Sequence, residues 1–401
     1  MTKANPKGLH NYYQERDFKP TFAGFKGEKE LEAYELRRKS LYRDLLHLPP
    51  RVFEGSRLCE FGPDTGENAL VFARWGARVT LVEPHPAAWP EIRAYFARYG
   101  LDERLEDIVG KTIESFESET RFDFINAEGF IYTVQPAELW LTKFTRLLRP
   151  TGFAVINYLD RTGCLFELLW SLAHARYQEV SGERGVDAAW SLFEPKWNSI
   201  HHTRPFESWV KDVLENPFVR LKFLIDPVEL SDKALKAGLA LYASWPRYEN
   251  PFYPFWHKNI PNEATLELRR REFMTRSRVS FAFARPLFTI ASAERTKEIN
   301  DSVLALVSGI DRLIDGWDKA SLSRSKAAAA QLVVAFKNRE VMAGHAERDE
   351  ISATLAAIIR TLDILDAGNA GAIRNQMRTD ESLLAMWGST THYAVFRLLD
   401  D

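Results

Sequence analysis

The sequence has few features that mark extracellular, nucleic-acid-binding or membrane-spanning proteins. Its 401 residues include only two cysteines, Cys59 and Cys164, which argues against a disulfide framework and indicates a reducing compartment. The 53 basic and 55 acidic residues give a net charge of −2, which offers nucleic acid no electrostatic footprint. No apolar run approaches the ~20 residues that a membrane-spanning helix needs. We therefore expect a cytoplasmic protein that binds no nucleic acid and has no membrane span.

The length and the apolar patterns predict several structural regions. We expect an N-terminal arm and helix at residues 1–48, an α/β domain at 49–290 and a helical bundle at 291–401. An insertion at about 160–223 is predicted to build the acceptor pocket of the α/β domain. The helical prediction depends on a stripe of apolar residues at spacings of three and four: Ile299, Val303, Leu306, Ile310, Leu313 and Trp317. A closing strand is predicted at Val279–Phe283 and a last helix at Leu383–Leu399.

The most informative stretch lies between residues 57 and 83. The predicted order is strand, glycine turn, helix, second strand and acidic residue: Arg57–Phe61, Gly62–Gly66, Glu67–Trp75, Arg78–Val82 and Glu83. Such a turn allows backbone N–H groups and a helix N-terminus to approach a ligand, and an acid after the second strand can accept hydrogen bonds from both ribose hydroxyls. This is half of a βαβ nucleotide-binding unit.

Two cofactors fit this plan, a dinucleotide or S-adenosyl-L-methionine. The dinucleotide motif has three glycines that leave room for a pyrophosphate. Here Asp64 lies between the two glycines and Glu67 opens the helix. Two carboxylates would repel a pyrophosphate but tolerate a cationic sulfonium or an amino group, so the charge favours S-adenosyl-L-methionine.

The segment Glu60–Gly66, EFGPDTG, resembles the E/D-x-G-x-G-x-G motif of class I S-adenosylmethionine-dependent methyltransferases, with Glu83 in the place of the ribose-binding acid. Asp64 replaces the middle glycine, and aspartate is among the residues that tolerate a left-handed conformation. Residues 121–127 resemble the fourth strand of the family, and residues 147–156 resemble its turn and fifth strand, with Thr151 in place of a glycine. The resemblance implies a Rossmann-like doubly wound α/β sheet, to which the helical pattern adds a C-terminal all-α domain.

The resemblance also implies which residues bind the cofactor. The candidates are Glu60, Gly62, Pro63, Asp64, Gly66, Glu83, Pro84, Thr112, Ile113, Asn126 and Tyr13. For Tyr13, in the aromatic arm, the alternative is that the ring only staples the arm to the surface.

Four residues are candidates for the chemical step: Glu128, Tyr132, His201 and His202. Glu128 and Tyr132 follow the predicted fourth strand, where open α/β sheets bind ligands. Glu128 is either a general base or a partner for the methionine amino group. His201 and His202 are candidate bases because imidazole titrates near neutral pH, and their alternative is a surface or capping role. No metal-binding set is evident, so no metal is predicted.

Three hypotheses about function remain open. The first is a methyltransferase that uses S-adenosyl-L-methionine on a hydroxyl of a small molecule or glycan. The chain has some similarity to methyltransferases of bacterial surface-polysaccharide pathways. The second is a non-catalytic cofactor-binding or scaffold protein that acts through its helical region, which is also a candidate homodimer surface. The third is a nicotinamide-dependent oxidoreductase, which Asp64 and Glu67 disfavour.

Overall fold

The structure of the protein is a computed structural model that describes residues 8–16, 18, 25, 27–200, 204–250, 263–342 and 344–399. The chain divides into two compact units. One, the sheet unit, comprises Met1–Tyr158, Pro227–Arg271 and His392–Asp401, and the other, the helical unit, comprises Leu159–Asp226 and Glu272–Thr391. The grouping of the segment after residue 158 with the later helices is a feature that the sequence did not predict. The domain boundaries drawn from the sequence stay predictions.

Strands within the described ranges are β1 (Arg57–Phe61), β2 (Arg78–Val82), β3 (Leu105–Val109), β4 (Phe122–Ala127), β5 (Leu148–Leu159), β6 (Leu239–Trp245), β7 (Phe288–Thr289), β8 (Val341–Met342) and β9 (Thr391–Leu398). Seven of these described strands form one sheet in the order β3-β2-β1-β4-β5-β9-β6. The β1–β2, β1–β4, β2–β3 and β4–β5 pairs are parallel, and β9 is antiparallel to β6. The sheet confirms the Rossmann-like fold.

Helices in the same ranges are α1 (Leu9–Gln14), α2 (Glu28–Lys39), α3 (Glu67–Arg74), α4 (Trp89–Arg98), α5 (Glu138–Leu147), α6 (Leu165–Ser181), α7 (Gly185–Asn198), α8 (Phe206–Trp209), α9 (Pro227–Lys236), α10 (Glu263–Phe283), α11 (Ala293–Asp315), α12 (Lys319–Lys337), α13 (His345–Ala367), α14 (Ala370–Thr379) and α15 (Glu381–Ala385). A π-helical segment, Ser40–Leu45, continues α2. None of the described helices is long and apolar enough to cross a membrane. The C-terminal region is helical, as predicted.

The first βαβ element forms where the sequence predicts it. Four of the five residues of β1 are buried, as expected for a parallel strand that is covered on both faces. The turn after β1 leads into α3, whose apolar residues are buried, and Gly76 ends the connection with φ of 96°. Because all parallel strands end at the same edge, the glycine turn and Glu83 lie at the carboxyl edge of the sheet.

Two predictions about the end of the sheet are wrong. Val279–Phe283 forms the C-terminal end of the 21-residue helix α10 and is not a strand. The antiparallel strand is β9, within the segment predicted as a helix at Leu383–Leu399. In β9 the buried residues His392, Ala394, Phe396 and Leu398 recur at every second position, which is the strand period, and Val395 on the other face is buried as well.

An aromatic cluster fixes the N-terminal helix to the sheet. The ring of Tyr42, in the π-helical segment, lies 5.8 Å from Phe53, 5.3 Å from Phe72 and 5.7 Å from Trp75. These contacts bury Tyr42 completely. They also place the end of α2 next to the ends of β1 and β4, which brings polar groups of that helix to the carboxyl edge.

The helical unit has its own apolar core. The predicted stripe on α11 is confirmed, with Ile299, Val303, Leu306, Ile310 and Leu313 all buried. This unit also holds a buried ammonium group, since Lys196 Nζ donates hydrogen bonds to the backbone carbonyls of Leu383, Leu384 and Met386 at the C-terminal end of the short helix α15. The lysine therefore satisfies carbonyls that would otherwise be unpaired inside the unit.

Candidate functional site

The glycine turn after β1 adopts the backbone that its sequence predicts. Gly62, Asp64 and Gly66 have φ angles of 61°, 50° and 89°. The expectation that Asp64 would tolerate the left-handed conformation is therefore confirmed. Gly62 is required for a second reason, because a Cβ atom there would lie 2.9 Å from the ring of Phe130. The turn leaves no room for a side chain at this position.

Glu83 is held against the turn by two backbone donors. The N–H of Asp64 donates to its Oε2 atom at 3.2 Å, and the N–H of His85 donates to Oε1 at 2.8 Å. The residue is 5% exposed. Burial raises the pKa of the Glu83 carboxyl to about 7, the charge of Asp64 adds to the rise, and the two backbone hydrogen bonds oppose it. A carboxylate in this position can still accept hydrogen bonds from hydroxyl groups, because each oxygen has a second lone pair.

A second carboxyl group lies at the start of α3. Glu67 is buried in the first turn of the helix and accepts a hydrogen bond from the Thr65 hydroxyl at 2.6 Å. Together with Asp64 and Glu83, it gives the surroundings of the turn an excess of acidic groups. The negative charge of these acidic groups favours a cationic ligand over a pyrophosphate.

A buried polar network lies beside the turn. Arg38, from α2, donates from Nη1 to Glu128 Oε2 at 2.8 Å and from Nη2 to Glu128 Oε1. The Tyr42 hydroxyl lies 2.9 Å from both Glu128 Oε1 and Asn126 Oδ1, and the Tyr393 hydroxyl donates to Glu128 Oε2 at 3.2 Å. Asn126 in turn donates to Glu60 Oε1 at 2.9 Å. The network links β1, β4, β9 and the N-terminal helix.

The two carboxyl groups of this network differ in protonation. Burial alone would raise the pKa of Glu128, but the charge and hydrogen bonds of Arg38, with those from Tyr42 and Asn126, hold that pKa below its ordinary value. Burial and then the negative charge of Glu128 raise the pKa of Glu60 to about 8, against a hydrogen bond from Asn126. Near neutral pH Glu128 is therefore ionised, whereas Glu60 is largely protonated.

One donor and one acceptor in the network are unsatisfied. Within the described part of the chain, Nε of Arg38 and Oε2 of Glu60 are buried without a hydrogen-bond partner. The nearby Asn68 lowers the pKa of Glu60 but makes no bond of normal geometry to that oxygen. A buried polar atom that lacks a partner calls for a ligand or a water molecule. One such donor and one such acceptor in the same network are complementary to the α-carboxylate and the α-ammonium of an amino acid.

The loop after β3 forms the other side of the site. A Cβ atom on Gly110 would lie 2.8 Å from the Trp89 ring, whose Nε1–H donates to the Glu83 carbonyl at 3.1 Å. Thr112 is half-buried and its carbonyl accepts the N–H groups of Ser115 and Phe116. Ile113 is buried beside it. The loop therefore presents an apolar wall and a compact turn beside Glu83.

The arm helix α1 lies near this side of the site. Burial lowers the pKa of His10, the negative charge of Glu114 opposes that effect, and the charge of His85 adds to it. His10 is therefore within electrostatic range of the loop after β3 and of the turn after Glu83. Tyr13 is half-buried and packs edge-on against Tyr12, at 5.7 Å between ring centroids. Its predicted contact with the cofactor stays a prediction.

The remaining predicted residues lie in different settings. Pro63 is buried in the turn, and Pro84 is half-buried after Glu83. Tyr132 is buried in a 3-10 turn that follows β4, and its carbonyl accepts a hydrogen bond from Gln135. His201 and His202 lie outside the described residues. Their proposed roles are therefore carried forward only as predictions.

Comparison with known proteins identifies the family. Residues 34–242, just over half of the chain, match the model of a family described as a methyltransferase domain. The chain belongs to this methyltransferase family. With the sheet order described above, it is a class I methyltransferase, the type that uses S-adenosyl-L-methionine. A search of curated protein sequences found no match.

Solved methyltransferase structures resemble the chain only in part. The glycopeptide N-methyltransferase MtfA, complexed with sinefungin, is 18% identical over 27% of this chain and 48% of that chain, with a TM-score of 0.25. The CcbJ methyltransferase from Streptomyces caelestis is 21% identical over 28% and 49%, with a TM-score of 0.26. The StiE O-MT structure is 11% identical over 31% and 42%, with a TM-score of 0.28. The chain spans about half the length of the solved structures that it matches, and these likenesses carry no argument about the acceptor.

Arg38, Tyr42 and Tyr393 belong to the buried network around Glu128 and were not among the residues predicted from the sequence. Arg38 and Tyr42 are four residues apart on a predicted helix, so they share one face. A charged residue on a helix face that is otherwise apolar could have indicated a buried polar site. Tyr393 gave no signal, because β9 reaches the sheet from the end of the chain.

S-adenosyl-L-methionine fits the residues of this methyltransferase site. Its amino-acid end matches the unsatisfied atoms of Arg38 and Glu60, its ribose matches Glu83, and its sulfonium suits the acidic surroundings of the turn. For a metal, no group of three or more suitable side chains is present among the residues that the structure describes.

Proposed function

We propose that the protein transfers the methyl group of S-adenosyl-L-methionine to a hydroxyl group of a small-molecule or glycan acceptor. The observation that supports the cofactor part is the presence of two unsatisfied buried atoms, Arg38 Nε and Glu60 Oε2, in the polar network beside a glycine turn and Glu83. When bound, the cofactor supplies an activated methyl group on a sulfonium. The residues of the chain bind it, orient it and exclude water.

Each end of the cofactor has a proposed partner in the chain. Arg38 Nε donates to the α-carboxylate, and Glu60, once ionised, accepts from the α-ammonium. Glu83 accepts both ribose hydroxyls while its backbone donors hold it in place. Charged partners of this kind are worth about 1.5–3 kcal/mol each when the donor or acceptor is ionised. These contacts fix the direction in which the methyl group points.

Glu128 has a supporting role in this proposal and is not the general base. Its carboxylate accepts hydrogen bonds from Arg38 and Tyr393, and its pKa is held low. A base of low pKa removes a proton from a hydroxyl poorly. We infer that Glu128 instead orients the Arg38 guanidinium so that Nε faces the cofactor.

The alternatives differ in what the protein should bind and convert. An oxidoreductase would bind a nicotinamide dinucleotide, which the acidic turn disfavours. A scaffold protein would bind S-adenosyl-L-methionine and turn over no acceptor. The polysaccharide acceptor, the cytoplasmic location and a homodimer through the helical region stay predictions.

The proposal is tested by measuring S-adenosylhomocysteine production with the full chain over matched hydroxyl and amine acceptors. We expect turnover with a hydroxyl acceptor, and loss of turnover in Glu60→Ala with retained activity in Glu103→Ala, an exposed control. Cofactor binding without turnover of any acceptor would favour the scaffold. Turnover of amines alone would refute the hydroxyl assignment.

A further inference from the structure

A second polar cluster lies in the sheet unit, apart from the Arg38–Glu128 network. It consists of Tyr158, Tyr248 and His392, which we call the tyrosine–histidine chain. The hydroxyls of Tyr158 and Tyr248 are 2.5 Å apart, and the Tyr248 hydroxyl is 2.5 Å from Nδ1 of His392. Their side chains are almost fully buried, at 0%, 2% and 0% exposure. Three polar groups are thus aligned inside the protein.

The three residues reach this place from distant parts of the sequence. Tyr158 is the penultimate residue of β5, Tyr248 follows β6, and His392 is the second residue of β9. Because β9 is antiparallel to β6, with Tyr393 opposite Trp245, the start of β9 lies at the edge where β5 and β6 end. That is the carboxyl edge, where open α/β sheets bind their ligands.

Packing alone does not explain this arrangement. Phenylalanine would fill the same space as either tyrosine without burying a hydroxyl, which is unfavourable unless the hydroxyl is hydrogen-bonded. A satisfied core cluster is the plain alternative. The alignment adds something that a core does not need, since it joins two hydroxyls in series to an imidazole, whose unprotonated ring nitrogen can accept a proton.

We propose that the tyrosine–histidine chain carries away the proton that the acceptor hydroxyl loses during methyl transfer. This inference rests on the proposed function. As the acceptor oxygen bonds to the methyl carbon, the carbon–sulfur bond breaks and its electron pair goes to sulfur. The acceptor proton passes to the Tyr158 oxygen, the Tyr158 proton to the Tyr248 oxygen, and the Tyr248 proton to Nδ1 of His392. The proton returns to water by the same route after the product leaves.

The tyrosine–histidine chain can carry a proton only if its members have one protonation pattern in the resting enzyme. Nδ1 of His392 must carry no proton, so that Tyr248 donates to it and Tyr158 donates to Tyr248. Among the residues that the structure describes, Tyr393 follows His392 and donates to Glu128, and Glu249, which follows Tyr248, pairs with Arg270. In this proposal Tyr158, near the end of β5, is the member of the tyrosine–histidine chain that takes the acceptor proton, and Tyr248 and His392 act through it.

The first test removes the middle hydroxyl of the tyrosine–histidine chain. Tyr248→Phe removes one hydroxyl and keeps the ring, and Tyr242→Phe on β6, which is 40% exposed, is the matched control. We expect kcat for a hydroxyl acceptor to fall about 100-fold at neutral pH in Tyr248→Phe, which is the usual range for general-base catalysis. The rate should recover as hydroxide increases, with an unchanged dissociation constant for S-adenosyl-L-methionine. A kcat and pH profile equal to the wild type would overturn the proposal.

A second measurement does not depend on folding of a variant or on an acceptor. Nitrogen NMR of the imidazole of His392 in the wild-type chain reports which ring nitrogen carries the proton. We expect Nε2–H with a bare Nδ1, and Nδ1–H would overturn the relay even if methyl transfer is established. Conversely, failure of the chain to bind S-adenosyl-L-methionine, or turnover of amines alone, would refute the proposed function itself and the relay with it.

Discussion

Replacing Arg38 with methionine removes a guanidinium that is buried between Glu128 and Tyr42. The ion pair has side chains only 9% exposed on each side, so water cannot replace the lost partner. Removal of one partner from a buried pair destabilises a protein by about 3–5 kcal/mol, because the other charge stays buried and unpaired. We expect Arg38→Met to lose about this much. Arg37→Met, at an exposed position on the same helix, should change stability by less than about 0.5 kcal/mol.

The double variant Arg38→Met/Glu128→Gln tests the reason for that loss. A neutral amide carries no unpaired charge, so the double variant should recover about 2 kcal/mol or more relative to Arg38→Met. The assay is urea unfolding of each variant, compared as a double-mutant cycle. A double variant that is as unstable as Arg38→Met would show that the charge pair does not explain the loss.

The pH dependence of the stability difference between Arg38→Met and the wild type tests the same explanation independently. In the wild type the pKa of Glu128 is lowered, so its contribution to stability is present above its unfolded pKa and is lost as pH falls through the folded value. Without Arg38, burial raises that pKa, and protonation then favours the folded state. The deficit of Arg38→Met should therefore shrink between pH 7 and pH 5. An equal deficit at both values would refute the reasoning.

Three further predictions concern the turn and the sheet. Glu83→Ala should weaken S-adenosyl-L-methionine binding by ~1–3 kcal/mol in calorimetry, with Glu103→Ala as control, and an unchanged affinity would refute the ribose assignment. The affinity for S-adenosyl-L-methionine should rise between pH 6 and pH 8, because Glu83 and Glu60, with pKa values of about 7 and about 8, must lose protons before they accept hydrogen bonds from the ligand. An affinity that does not change over this pH range would contradict this. Thr151→Gly should raise the free energy of unfolding by up to about 1 kcal/mol, because a β-branched residue with φ of 61° is strained, and thermal unfolding with no gain would contradict it.

The sequence was sufficient to predict the local parts of the site. The strands β1 and β2, the glycine turn, the left-handed Asp64 and the position of Glu83 depend on neighbouring residues, and the structure has them as predicted. These features follow from turn chemistry and periodicity, which act over a few residues.

The parts that depend on distant segments were not predictable in this way. Tyr393 and His392 enter the sheet on β9, which is separated from β6 by the whole series α10–α15. Val279–Phe283 has the apolar alternation of a strand, but it is the end of the helix α10, which begins at Glu263. Short apolar runs are ambiguous between strand and helix, and tertiary context decides between them.

The most direct test of the central claim is calorimetric titration of the full chain with S-adenosyl-L-methionine and, separately, with NAD. We expect binding of S-adenosyl-L-methionine and no measurable heat with NAD. The expectation rests on the acidic turn, on the unsatisfied atoms of Arg38 and Glu60, and on the two carboxylate oxygens of Glu83. Tight NAD binding without binding of S-adenosyl-L-methionine would contradict the account.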